Sequence, residues 1–360
     1  AGSGTFTVTS LDTFSVNAPI VMASTLTLDV DGTIANAENL TIPDTAVFTN
    51  GTITGSGTFT TPASSTTSVQ STTLDTVNWD SQGIVNWTGF SVTITGATFT
   101  NNGTFNANIT GSDSITGTGV FANANIFNDN GTATTIVSVD TISNSGTINV
   151  NSTVLDIRGN LTNTGLIDID SGTIFTLNDN TAHDFDALSS IAGSGTFTVT
   201  SLDTVNVNAA MVMAATLTLD VDGTIANAQN LTIPDTADFT NGTISGTGTF
   251  STPASSTTYL QTTTLSSGIA WDSEGTVNWG GFSNTFNDVF TNNGTFNNNT
   301  TGGDTIVGTG SFVNAGVYNA NNTGTSSINV SFTNTGGVID VSSGSSFELS
   351  LIHISEPTRH

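Results

Sequence analysis

The stretch Asn101-Asn102-Gly103-Thr104-Phe105-Asn106 decides the fold, because variants of it recur from one end of the chain to the other. It reads as a turn followed by a strand. Asn-Gly supplies backbone positions that tolerate positive φ, and Thr-Phe opens an extended run whose residues face alternately in and out. The same unit returns as Asn50-Gly51-Thr52-Ile53, Gly57-Thr58-Phe59, Ser145-Gly146-Thr147-Ile148, Asn241-Gly242-Thr243-Ile244 and Asn293-Gly294-Thr295-Phe296. A short strand that cannot bury its apolar face alone, repeated many times, predicts a stack of β-rungs.

Between the turns the alternation has period two. In Thr25-Leu26-Thr27-Leu28-Asp29-Val30-Asp31, Leu26, Leu28 and Val30 face in while Thr and Asp face out; Leu166-Ile167-Asp168-Ile169-Asp170 and Thr5-Phe6-Thr7-Val8-Thr9 read alike. Thr, Val, Ile and Phe favour strands, and frequent Gly and Asn penalise helices. Gly32 to Gly51 spans 19 residues, Gly83 to Gly103 spans 20 and Gly146 to Gly165 spans 19, although Gly103 to Gly119 spans 16. The fold class expected is all-β, a parallel β-solenoid with rungs of roughly 20 residues and loops of varying length. With strands ~4.8 Å apart, about 17 rungs would make a rod on the order of 80 Å long. Phe6, Phe59, Phe105 and Phe121 are expected to stack as internal ladders, and Asn at the turns to form hydrogen-bond ladders down the outside.

A longer repeat overlies the rungs. Ala1-Gly2-Ser3-Gly4-Thr5-Phe6 returns as Ala192-Gly193-Ser194-Gly195-Thr196-Phe197, an offset of 191. Thr25–Ile53 matches Thr216–Ile244 at all but two positions, Glu38 against Gln229 and Val47 against Asp238, so both sites are expected to be exposed. Near Trp79 and Trp271 the offset becomes 192 and then returns to 191, as a loop on a fixed scaffold allows. The expected organisation is one unit at 1–191, a truncated second copy at 192–348 and a non-native tail at 349–360.

Two Lys+Arg stand against 28 Asp+Glu among 360 residues, a formal net charge of −26. Only 8 % of residues are charged, so the unusual quantity is missing cations. Without a basic patch, nucleic acid and anionic lipid surfaces are poor partners. Hydrophobic residues make up 35 % of the chain, too regularly placed for a disordered one. No run is long enough for a membrane span, and Cys is absent, which excludes disulfides and Cys-based zinc sites. Ala1 begins mid-pattern without Met, so the chain reads as a fragment or processed piece.

The end of the chain departs from this pattern. Leu349-Ser350-Leu351-Ile352-His353-Ile354-Ser355-Glu356-Pro357-Thr358-Arg359 is similar to the conceptual translation of a transposase-type sequencing adapter. On that reading the native sequence ends near Glu348, cut by the end of an environmental (metagenomic) read. Arg158 and His183 are then its only cation and only histidine.

Asn144-Ser145-Gly146-Thr147-Ile148-Asn149-Val150 and Leu161-Thr162-Asn163-Thr164-Gly165-Leu166-Ile167-Asp168-Ile169 resemble the rungs of filamentous-haemagglutinin-like and autotransporter-like surface proteins. That resemblance implies a right-handed parallel β-helix exported to the cell surface, where it serves as a stalk or adhesin. The motifs cover the repeats in general and carry no family-specific functional residue.

Four features bear on chemistry. Asp29 and Asp31, their copies Asp220 and Asp222, and Asp168 and Asp170 put two carboxylates on one outer face of a strand, which suits Ca²⁺ as well as plain solvation. Neither an EF-hand loop nor a calcium β-roll nonapeptide is present. Thr25/Thr27, Thr52/Thr54, Thr58/Thr60 and Thr98/Thr100 are similar to the threonine arrays of ice-binding solenoids. Trp87 and Trp279, like Trp79 and Trp271, sit near the slipping loop, where they either stack on sugar rings or, more commonly, plug a rung. A polysaccharide-active enzyme would need more than Arg158 alone as a base, or a carboxylate pair that nothing sets apart from surface Asp. The expectation is therefore a non-enzymatic, extracellular cell-surface stalk or adhesin. Its partners are further copies of its own repeat and glycans or other surface molecules, with an ice- or Ca²⁺-binding module and a polysaccharide-active enzyme as alternatives.

Overall fold

Glycine, asparagine and threonine at these spacings fold into short strands separated by bends. A computed structural model describes residues 2–349, and all its regular elements are β-strands. Among them no helix is long and apolar enough to cross a membrane. The chain divides into two compact units, residues 1–183 and 184–360. Each is a parallel β-solenoid with rungs of about 21 residues, and the two together hold about 16 turns, close to the roughly 20 and 17 expected.

A rung consists of three strands. In the first unit Asn78–Ser81, Ile84–Trp87 and Val92–Thr95 make one rung. Each pairs in parallel with the corresponding strand of the next: Thr98–Asn101, Thr104–Ala107 and the start of Asp113–Asn123. This pairing carries each inward side chain onto its counterpart. One inward row runs Trp79, Phe99, Phe121, Ile142, Leu161 and another Val85, Phe105, Phe127, Ile148, Ile167. The second unit repeats them as Phe250, Trp271, Phe290, Phe312, Phe332 and Val277, Phe296, Tyr318, Ile339.

Aromatic rings stack along these rows. Phe99 and Phe121 lie 5.4 Å apart and 11° from parallel, Phe105 and Phe127 5.5 Å and 10°, and Phe296 and Tyr318 5.5 Å and 7°. Between rows they meet edge to face, as Phe99 does Phe105 at 5.5 Å. Each fully buried ring contributes ~1.5–3 kcal/mol, realised only while both neighbouring rungs are in place. Phe59, Phe105 and Phe121 join the interior as expected, but Phe6 does not. It is 37 % exposed in the first described strand and packs edge-on against Phe14, whereas its copy Phe197 is buried.

The Asn-Gly unit works differently from its sequence reading. Gly51, Gly103, Gly146, Gly242 and Gly294 do not take positive φ, and Thr45–Thr54 is one strand straight through Asn50-Gly51. A Cβ on Gly103 would lie 2.0 Å from the Gly83 carbonyl oxygen, and one on Gly146 2.0 Å from that of Asn125. Glycine is required where one rung's corner rests on the backbone of the rung before it. Close approach, not left-handed conformation, fixes the residue.

At the far end Leu349 lies in strand Glu348–Leu349 and pairs with Ile328. The rest of the adapter-like tail, residues 350–360, lies outside the described residues.

Candidate functional site

Outward positions form columns as regular as the inward rows. In the first unit one column runs Thr7, Asp29, Val47, Ser68, Asn86, Asn106, Asn128, Asn149, Asp168. Its asparagines, all within strands, form an outer ladder, with Asn106 donating to Asn86 at 2.9 Å, Asn128 to Asn106 at 2.8 Å and Asn149 to Asn128 at 2.7 Å, while the ladder expected of asparagines between strands runs beside it, Asn130 donating to Asn108 at 3.2 Å and Asn151 to Asn130 at 2.9 Å. Asp29 and Asp168 are therefore members of one column, near its two ends. The second unit's column runs Thr198, Asp220, Asp238, Tyr259, Asn278, Asn297, Asn319, Asp340.

The Asp pairs face outward as read, and in the second unit Asp238 joins Asp220 on the next rung. Asp31 accepts from Asn50 Nδ2 at 3.0 Å, and Asp170 and Asp222 are exposed. Partial burial, then the charges of Asp222 and Asp238, raise the pKa of Asp220. Among the described residues no group of three or more His, Cys, Asp or Glu side chains is arranged to hold a metal ion. The threonine pairs fall on separate columns: Thr27 stacks between Thr5 and Thr45, Thr58/Thr60 and Thr98/Thr100 flank Asn78/Asp80, and Thr52 lies in a file Thr13, Thr33, Thr52, Thr73, Thr93, Thr116 whose partner column reads Ser15, Ala35, Thr54, Asp75, Thr95. Thr-x-Thr in that file is thus complete at Thr52/Thr54 and Thr93/Thr95 and broken on the rungs beside them.

Trp87 and Trp279 plug their rungs, the commoner of the two roles read from the sequence, and this removes them as sugar-binding candidates. Both are 0 % exposed, because each shares inward parity with the valine two residues earlier, and no face is left for a sugar ring. Their indole N–H groups point instead into the following loop: Trp87 Nε1 donates to the carbonyls of Gly89 at 3.1 Å and Phe90 at 2.9 Å, and Trp279 Nε1 to that of Phe282 at 2.8 Å. Held this way, Phe90 and Phe282 adopt left-handed backbone, φ 57° and 60°. Their rings are 68 % and 65 % exposed. Sequence reasoning missed this pair; the signal available was Trp-x-Gly-Phe in both copies.

Arg158 lies in a groove of about 430 Å³ with Ser138, Asp140, Thr141, Asn160 and Asp179. Its Nε and Nη2 both donate to Asp156 Oδ2, at 2.9 and 2.7 Å, neutralising a carboxylate that is only 7 % exposed. His183 is a core residue whose Nδ1 accepts from the Leu161 N–H at 3.4 Å.

Two polar arrangements inside the stack were not expected. A second asparagine ladder runs within the first unit, Asn101 donating to Asn123 at 2.7 Å, Asn123 to Asn144 at 2.8 Å and Asn144 to Asn163 at 2.7 Å. Asn292, Asn314 and Asn334 repeat it in the second. The other arrangement is Asp129, 0 % exposed in the inward row Trp87, Ala107, Asp129, Val150, Ile169. Thr135 Oγ1 donates to it at 2.5 Å and Ser152 Oγ also donates, while burial pushes its pKa up to about 6.

No family model, curated protein or solved structure matches the chain, so its own residues carry the functional reading.

Proposed function

We infer that the chain is a segment of a large, secreted, repetitive cell-surface protein in which it acts as a structural stalk or adhesin. The observation that carries this reading is the in-register hand-over of inward rows from rung to rung within each unit, on a sequence that is itself duplicated. In such a stack every rung is stabilised by its two neighbours, so length is gained by adding copies without redesigning a core. Backbone pairing and buried ladders running along the stack suit a spacer that resists proteases and pulling. Further copies of the repeat, and molecules at the cell surface, are the partners this role calls for.

Immunogold electron microscopy of intact source cells tests it, using antibodies raised against the chain. Gold on material projecting from the outer surface is the expected result. Gold confined to the cell interior, seen only after permeabilisation, would contradict the reading.

A further inference from the structure

We propose that the loops presenting Phe90 and Phe282 are contact sites for a neutral glycan chain, one in each unit. The inference goes beyond the structural role and does not depend on it. Four observations carry it.

The first is conformation. A phenylalanine at φ near +60° adopts a backbone that glycine takes without cost, and here it spends that cost on holding its ring in water. Strain of this kind persists only where the surroundings impose it. The buried indoles of Trp87 and Trp279 do so by binding the loop carbonyls.

The second is repetition against a divergent background. Thr88 becomes Gly280, and Val92-Thr93-Ile94 becomes Asn284-Thr285-Phe286, yet the left-handed φ, the exposed ring and the indole contact are the same in both units.

The third is the polar company. Ser91 Oγ lies 3.3 Å from Ser114 Oγ, and in the second unit Ser283 Oγ lies 3.0 Å from Thr305 Oγ1. Beside the hydroxyls are Asp113 and Asp304, each starting the strand of the next rung. Asp113 Oδ2 is 3.5 Å from where a Gly89 Cβ would stand, and Asp304 Oδ2 accepts the Gly302 N–H at 3.3 Å. An exposed ring offers its face to the C–H side of a pyranose, while a carboxylate and paired hydroxyls accept from and donate to the sugar's equatorial hydroxyls.

The fourth is charge. With a net charge of −26, and Asp113 beside the first loop, a sulfated or uronate-rich chain would be repelled, which favours a neutral chain over an anionic one.

Affinity electrophoresis of the full chain tests this, through gels holding hydroxyethyl cellulose, xyloglucan or galactomannan and, separately, alginate or polygalacturonate. At least one neutral polymer is expected to retard the chain. The double variant Phe90→Ala/Phe282→Ala should weaken that retardation at least tenfold, Asp113→Asn/Asp304→Asn should weaken it too, and Phe90→Tyr/Phe282→Tyr should retain it. Retardation by none of the neutral polymers, by the anionic ones only, or undiminished in the Phe→Ala double variant would overturn the proposal. Because both rings are exposed, the melting temperature of the same samples should stay within a few degrees, so failure to bind is separate from failure of the stack.

Discussion

Asp129→Asn should stabilise the first unit at neutral and alkaline pH and make little difference in acid. Asp129 occupies an inward row among Ala107 and Val150, where burial raises its pKa from the ordinary 3.8 to about 6 despite hydrogen bonds from Ser152, Thr135 and the Gly131 backbone. The sign follows from linkage. A carboxyl whose folded pKa lies above its unfolded one is held charged at a cost above about 6, and that cost fades as pH falls toward 3.8. The gap between 3.8 and about 6, at ~1.36 kcal/mol per pH unit, caps the cost at about 3 kcal/mol. Thr135 and Ser152 donate to different oxygens of Asp129, so asparagine keeps an acceptor for one hydroxyl and turns its NH₂ toward the other, which rotates to accept; with the charge removed, a net gain of about 1–3 kcal/mol is expected. Rungs open locally, so the assay is hydrogen exchange of peptides covering residues 126–152, variant against wild type at the same pH. At pH 8 the variant should exchange roughly 5- to 100-fold more slowly, and at pH 4 the two should nearly coincide. Faster exchange of the variant at pH 8, or an equal difference at both pH values, would refute the reasoning.

The buried asparagine ladder gives a second expectation. Asn123→Ala removes the acceptor for Asn101 and the donor to Asn144 and the Thr147 carbonyl, and should cost about 2–4 kcal/mol in thermal or urea melts; an unchanged midpoint would count against the ladder. Ser81→Asn should do the reverse. Ser81 pairs in register with Asn101, and Ser81 Oγ and Asn101 Oδ1 are both buried without a hydrogen-bond partner, so an amide at 81 would extend the ladder by one rung for about 1 kcal/mol. A lower melting temperature would show that the space is too small. Glycine offers a contrast: Gly103→Ala drives a methyl to 2.0 Å from the Gly83 oxygen and should cost more than about 3 kcal/mol. Gly172→Ala meets nothing within 4 Å and has only its φ of 81° to overcome, about 1 kcal/mol. Equal losses would remove the close-approach explanation for the Asn-Gly corners.

Much of this architecture was legible because a strand's parity is written in its residues. Ile167 and Ile169 face in while Asp168 faces out, as read, and the same rule would have placed Trp87 inside with Val85 and Asp129 inside with Phe127. The inner asparagine ladder obeys it too, since Asn101 shares parity with Phe99. What parity cannot supply is what happens between strands. Whether Gly103 serves a left-handed turn or a close approach depends on the rung beneath it, some 20 residues away in sequence. Phe90 was invisible for the same reason, because its left-handed backbone is set by a buried indole three residues earlier. The Asp pairs were read correctly as outward, but which carboxylates become neighbours is decided by register: Asp220 meets Asp238, whereas Asp29 meets Val47.

Register is also the most direct point of attack on the whole account. The chain holds no cysteine, so nitroxide labels can be placed cleanly at Asn106, Asn128 and Asn149, three successive members of one outer column. Labels at 106 and 128 should sit about 4.8 Å apart along the stack and give a spin-exchange-narrowed spectrum by continuous-wave EPR; labels at 106 and 149, two rungs apart, should show only dipolar broadening. A 106/128 spectrum equal to the sum of the single labels, or stronger coupling between 106 and 149, would contradict the parallel, in-register solenoid on which every other inference rests.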